Sequence, residues 1–248
     1  MALNPLYFGS SGHRLFGMYH PSATGGRRGA VLCAPWGQEY LRAHQSLTHL
    51  ARALARAGVH AFRFDYYGTG DSAGSDLDGA LHQWVADTGC AIDELKDTVG
   101  LGAVSIVGLR LGAVIGALAA APRRDIHRVV LWDPVFDGAA QIADALAGNA
   151  APVAFPAQLR GFPVAAGVCD EIAAVSLRAF NGPLPPTLVV TTTSPGAADP
   201  LAKHLQAASV QVASEFHAGP AAWLEDDNFG AAGMPVVAVQ AIARWLAS

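Results

Sequence analysis

Twelve residues, Ser105 to Gly116 (SIVGLRLGAVIG), carry an apolar strand pattern into Gly108-x-x-x-Gly112 and on into a helix of small residues. In that strand–turn–helix frame the middle residue stands on a sharp turn, where a serine would be exposed for nucleophilic attack. The middle residue here is Arg110. Its guanidinium stays protonated and attacks nothing; it offers a planar fork of donors to carboxylate or phosphate oxygens. A helix N-terminus beside it would favour the same anions. Against that ligand-binding reading stands a plainer one, in which Arg110 is an internal strut. Its partner would then be Asp133 of LWDP, Glu39 or Glu225.

Other residues compete for chemistry less well. Cys33 falls at a strand end, where a buried small hydrophobe is expected rather than a reactive thiolate. Ser72 sits in the glycine-rich turn Asp65 to Gly74 (DYYGTGDSAG), in which Asp65 and Asp71 are expected to hold a structural corner. No Gly-Lys-Ser follows that turn, so it carries no phosphate-binding signature. No His or Cys cluster has metal-ligand spacing. Neither a metal nor a cofactor is expected. The aromatic residues Trp36, Tyr66, Tyr67 and Trp223 fall in loops that can line an apolar acyl pocket.

The elements that would position these residues alternate. Short β-branched runs at Ala30–Cys33, His60–Phe64, Val104–Val107, Val129–Trp132, Thr187–Thr192 and Val210–Phe216 are separated by helical patterns. That alternation predicts β-α units and a mostly parallel sheet. Leu6–Phe8 and Leu15–Tyr19, joined across GSSGH, predict an opening antiparallel hairpin. Leu47, Leu50, Ala51 and Leu54 mark one helix face, closed by Gly58 at the C′ position. A last helix is expected to begin at Pro235 and to bury Val236, Val239 and Leu246. The stretch from about 136 to 186 breaks the alternation and is expected to lie as an insertion over the carboxyl edge of the sheet, where ligands of such sheets bind.

The chain has 248 residues, 52% hydrophobic and 15% charged, so it can bury a sizeable core. Its net charge of −4, with scattered Lys and Arg, argues against a nucleic-acid partner. No apolar run has the length of a membrane span, and the N-terminus lacks a signal-peptide pattern. Three cysteines, Cys33, Cys90 and Cys169, are odd in number and far apart, as in a reducing cytoplasm.

PWGQEY, FRFDYYGTGDSAG, IVGLRLGA, VVLWDPVFDG and GPAAWLEDDN, in that order, resemble a bacterial branch of the α/β-hydrolase superfamily. This branch is similar to serine aminopeptidase-like and exosortase-associated hydrolases, the latter sharing GLRLGA at the elbow. The resemblance covers nearly the whole chain. It implies a single α/β-hydrolase domain, 1–248, with a sheet of about eight strands and a cap insertion at about 136–186. It further implies an oxyanion hole from the backbone N–H groups of Trp36 and Leu111. In triad order Arg110 stands for the serine, Asp199 for the acid and His217 for the base. Asp199 before Pro200 also reads as a helix cap, and His217 as a surface histidine. Gly37, Glu39, Tyr67, Asp133, Trp223 and Glu225 are the accompanying candidates for binding. The expected function is handling of an acyl (ester, thioester or amide) or carboxylate ligand without ordinary Ser-His-Asp hydrolysis. The alternatives are an inactive ligand-binding or scaffold protein, which would dock a partner protein, and a hydrolase or acyltransferase with a non-standard nucleophile.

Overall fold

The computed structural model describes residues 4–147, 157–159, 162–165, 167–224 and 233–248. The chain opens with a hairpin, β1 (Asn4–Ser10) and β2 (His13–His20), turned across Ser11 and Gly12. Then follow β3 (Arg28–Cys33), α1 (Gln38–Arg56), β4 (Val59–Phe64), α2 (Leu81–Val99), β5 (Val104–Leu109), α3 (Leu111–Ala120) and β6 (Ile126–Trp132). After β6 come α4 (Gly138–Ala147), a short hairpin of β7 (Ala157–Leu159) and β8 (Phe162–Val164), and α5 (Val168–Ala173). The β-α alternation then resumes with β9 (Thr187–Thr191), α6 (Asp199–Ala207), β10 (Val212–Phe216) and α7 (Val236–Ala247).

Eight strands form one sheet in the order β1-β2-β4-β3-β5-β6-β9-β10. Strands from β4 through β10 pair in parallel, and only β2 runs antiparallel to its neighbours β1 and β4. This is the sheet of about eight strands that the resemblance implied. The central strands β3, β5 and β6 read as continuous apolar runs because helices cover both faces. β5 is buried at every position. α3 packs against β5 with nine of its ten residues buried, including Gly112 and Gly116. A helix apolar on all sides suits only such an interior place.

α1 keeps the expected face, burying Leu47, Leu50, Ala51 and Leu54, and Gly58 follows it at φ 87°, the left-handed region that suits glycine. α7 departs from expectation at its start. Pro235 caps the helix from outside rather than opening it, and Val236 is 51% exposed, whereas Val239 and Leu246 are buried. The elements between β6 and β9 join the main sheet nowhere. α4 and α5 pack on each other, and α5 also touches α2 through Glu171, which receives the His82 N–H and pairs with its ring. Among the described residues no helix is long and apolar enough to cross a membrane.

Candidate functional site

Arg110 lies between β5 and α3 with φ 57° and ψ −121°, one of three non-glycine residues with positive φ among the described residues. A non-glycine side chain held there costs of order 1–3 kcal/mol, and the surroundings must enforce it. The flanking glycines show how. A Cβ on Gly108 would fall 2.2 Å from Gly112 O, and one on Gly112 would fall 2.2 Å from Cys33 O. Both positions are therefore reserved for glycine by backbone-on-backbone contact. The Arg110 N–H donates to Trp132 O at 3.1 Å, and Arg110 O accepts from Ala113 N, so the turn is fastened to β6 and to its own helix.

The guanidinium is held by several neighbours. Its Nε and Nη2 both donate to Glu39 Oε1, at 3.2 and 3.1 Å; Nη2 also donates to Gln141 Oε1 at 2.9 Å, and Nη1 to Asp133 O at 3.2 Å. Gln141 Nε2 donates in turn to the same Glu39 oxygen at 3.2 Å. The ring of Trp223 stacks on the guanidinium at 4.7 Å, a cation–π contact. Glu39 is thus the ion-pair partner, and Asp133 meets Arg110 through its carbonyl rather than its carboxylate. Gln141, on the first turns of α4, had no signal in sequence beyond being a polar residue on a helix inside the insertion.

Asp133 has its own partners. With φ 40° and 5% exposure, it accepts from Thr192 N–H and Thr192 Oγ1, both at 2.7 Å. Burial pushes its carboxyl up to about 6, while the two Thr192 hydrogen bonds and the charge of Arg110 pull the other way.

Two cavities flank Arg110. The first, about 240 Å³, is bordered by Trp36, Gly37, Glu39, Arg110 and Leu111 at the sheet. Leu159, Phe162 and Ile172 of the insertion, with Trp223 and Leu224, give it apolar walls. Gly37, at φ 64°, begins α1 there. The second, about 400 Å³ and more open, is bordered by Arg110, Asp133, Phe136, Arg178, Thr193 and Trp223. Arg110, Gln141, Asp144 and Trp223 stand in the wall common to both.

The remaining candidates lie elsewhere. His217 Nε2 pairs with Glu215 Oε2 at 2.7 Å beside the edge strand β10, and His217 borders neither cavity. Asp199 is exposed in the first turn of α6, where Ala198 rather than Asp199 holds the N-cap, and it borders neither cavity. The structure brings neither residue to Arg110. Tyr67 stacks on His13 at 3.9 Å and does not border either cavity. Glu225 lies outside the described residues. Ser72 Oγ donates to Asp65 O at 2.6 Å and accepts from Phe16 N–H at 2.9 Å, which fits a structural corner. Cys33 is fully buried, and burial pushes its thiol up to about 12. Among the described residues no group of three His, Cys, Asp or Glu side chains is placed to hold a metal ion.

Residues 26–161, more than half of the chain, match the family of serine aminopeptidases S33. No curated protein matches. Among solved structures, Est1E of Butyrivibrio proteoclasticus with ferulic acid bound superposes with TM-score 0.72 at 17% identity, over 97% of each chain. A hyperthermophilic esterase from the archaeon Pyrobaculum calidifontis gives 0.66 at 17% identity, over 99% of this chain and 85% of that one. A thioesterase domain from the curacin biosynthetic pathway gives 0.64 at 15% identity, over 99% of each. Identities this low speak for a shared α/β-hydrolase fold.

Proposed function

The chain belongs to the serine aminopeptidase S33 family of α/β hydrolases, and from that premise we propose that it handles an acyl or carboxylate ligand at an elbow that has given up serine chemistry. The observation that carries this is Arg110. It keeps the elbow backbone at φ 57°, yet its side chain is tied to Glu39, Gln141 and Trp223. In a Ser-His-Asp enzyme, removing the serine or the histidine costs about 10⁶ in kcat. Arg110 cannot replace the first, and the described loop after β10 sets Trp223, not an imidazole, against it. In this reading residues 1–248 act as one domain in the cytoplasm, with 136–186 as its cap.

Trp36 and Leu111 support an acyl ligand in particular. Both border the smaller cavity, where their backbone N–H groups would receive the carbonyl oxygen, and the apolar cap residues would take the chain. The bound ferulic acid, the esterase and the thioesterase among the similar structures fit that class. The place of Trp36 and Leu111 in the cavity wall also supports a second reading. There, water or an acceptor attacks a carbonyl polarised at Trp36 and Leu111, in a hydrolase or acyltransferase with a non-standard nucleophile. The test is hydrolysis of an ester and thioester panel by the wild type and Arg110→Ala. No turnover above buffer by either is expected. Turnover by the wild type that Arg110→Ala abolishes would establish the second reading instead.

A further inference from the structure

Arg110 and Glu39 form an ion pair in the wall of the smaller cavity. Arg110 is the cation that the elbow would offer to an anionic ligand. Four hydrogen bonds to Glu39, Gln141 and Asp133 O already engage its Nε, Nη1 and Nη2, and Trp223 lies on its face. The two side chains of the pair are 18% and 19% exposed, so water screens neither well. Formal charge along the described wall cancels: Arg42 and Arg110 stand against Glu39 and Asp144.

At the Arg110–Glu39 pair an entering carboxylate has two options, and both are unfavourable. It can displace Glu39 from Arg110, which leaves the Glu39 carboxylate enclosed without its cation. Or it can settle beside the intact pair and meet the like charge of Glu39. An ester, thioester or amide brings no charge and meets neither penalty. We propose that Glu39 is a specificity-determining residue: it occupies Arg110, so the cavity takes uncharged acyl derivatives and rejects the free carboxylates. This selectivity rests on the acyl reading above and narrows it.

Calorimetric titration with hexanamide, methyl hexanoate and hexanoate near neutral pH tests it. The wild type is expected to bind the two uncharged probes about tenfold or more tighter than hexanoate. Glu39→Gln keeps an acceptor for Arg110 but removes the charge. Its affinity for hexanoate relative to hexanamide is expected to rise about tenfold or more, and added salt should erode that rise. Equal binding of hexanoate and hexanamide by the wild type would overturn the proposal while the acyl reading stood, and this comparison needs no variant. A folded Glu39→Gln protein that binds hexanamide but gains nothing for hexanoate would overturn it too. Failure of all three probes on both proteins would sink the acyl reading, and the selectivity with it.

Discussion

Replacing Asp133 by Asn should flatten the response of stability to pH, by an amount the structure fixes. Burial raises the Asp133 carboxyl from 3.8 to about 6 in the folded chain, net of the Thr192 bonds and Arg110. A folded-state value above the unfolded one means that protonation favours folding. Asp133 therefore contributes in full below about pH 4, and its contribution is lost as pH climbs through about 6. At about 1.4 kcal/mol per pH unit, the difference comes to about 3 kcal/mol between those limits. Asn suits the site: it accepts from the Thr192 N–H through its oxygen and donates to Thr192 Oγ1 through its amide, and it tolerates positive φ. Urea unfolding of both proteins from about pH 4 to about pH 8 gives the measurement. Other titrating groups, such as the buried His20, are common to the two proteins and cancel in the difference. Asp133→Asn should gain about 3 kcal/mol on the wild type across that range. Two curves that stay parallel would refute the account of Asp133 as a carboxylate held against its burial.

Two shorter tests bear on the elbow and on the thiols. Gly112→Ala would drive a Cβ to 2.2 Å from Cys33 O and 2.5 Å from Ala34 O, so a loss of about 1–3 kcal/mol or more is expected, or about 2–4 °C of Tm for each kcal/mol; an unchanged Tm would contradict the close approach. Native alkylation followed by peptide mass spectrometry should modify Cys90 and Cys169 and leave Cys33 untouched, since only Cys33 is fully buried with its thiol pushed up to about 12; rapid labelling of Cys33 would count against its interior place.

The sheet was legible because each central strand is buried on both faces and so announces itself as an unbroken apolar run. Val104–Leu109 and Ile126–Trp132 extend a few residues beyond their sequence limits, and the order of the strands is set by tertiary packing that no single run displays. The elbow was legible for a different reason: its glycines are forced by backbone contact, and no other residue fits. The partners of Arg110 were only half legible. Asp133 is the first candidate in sequence, with Glu39 and Glu225 as alternatives, and the choice of Glu39 depends on how α1 leaves the β3 loop. Gln141 has no local mark, because a glutamine on an amphipathic helix is ordinary until tertiary packing turns it toward an arginine. His217 and Glu215 are two apart at the end of a strand, hence on one face. That alternation was available as a sign that His217 had a local partner, and the triad order masked it.

The Arg110 turn has a consequence for any attempt to place a serine there. Its backbone still has the shape in which a serine would stand, so a single substitution, Arg110→Ser, looks like a way back to hydrolysis. The neighbours are fitted to the arginine: His217 faces Glu215, Trp223 lies against the Arg110 guanidinium, and Glu39 has this cation and Gln141 as described partners. Arg110→Ser would take from Glu39 its cation, and among the described residues no imidazole stands against the new hydroxyl, so the substitution is expected to lower stability without a gain in rate. The elbow keeps its backbone shape, while the side chains packed around it are fitted to an arginine.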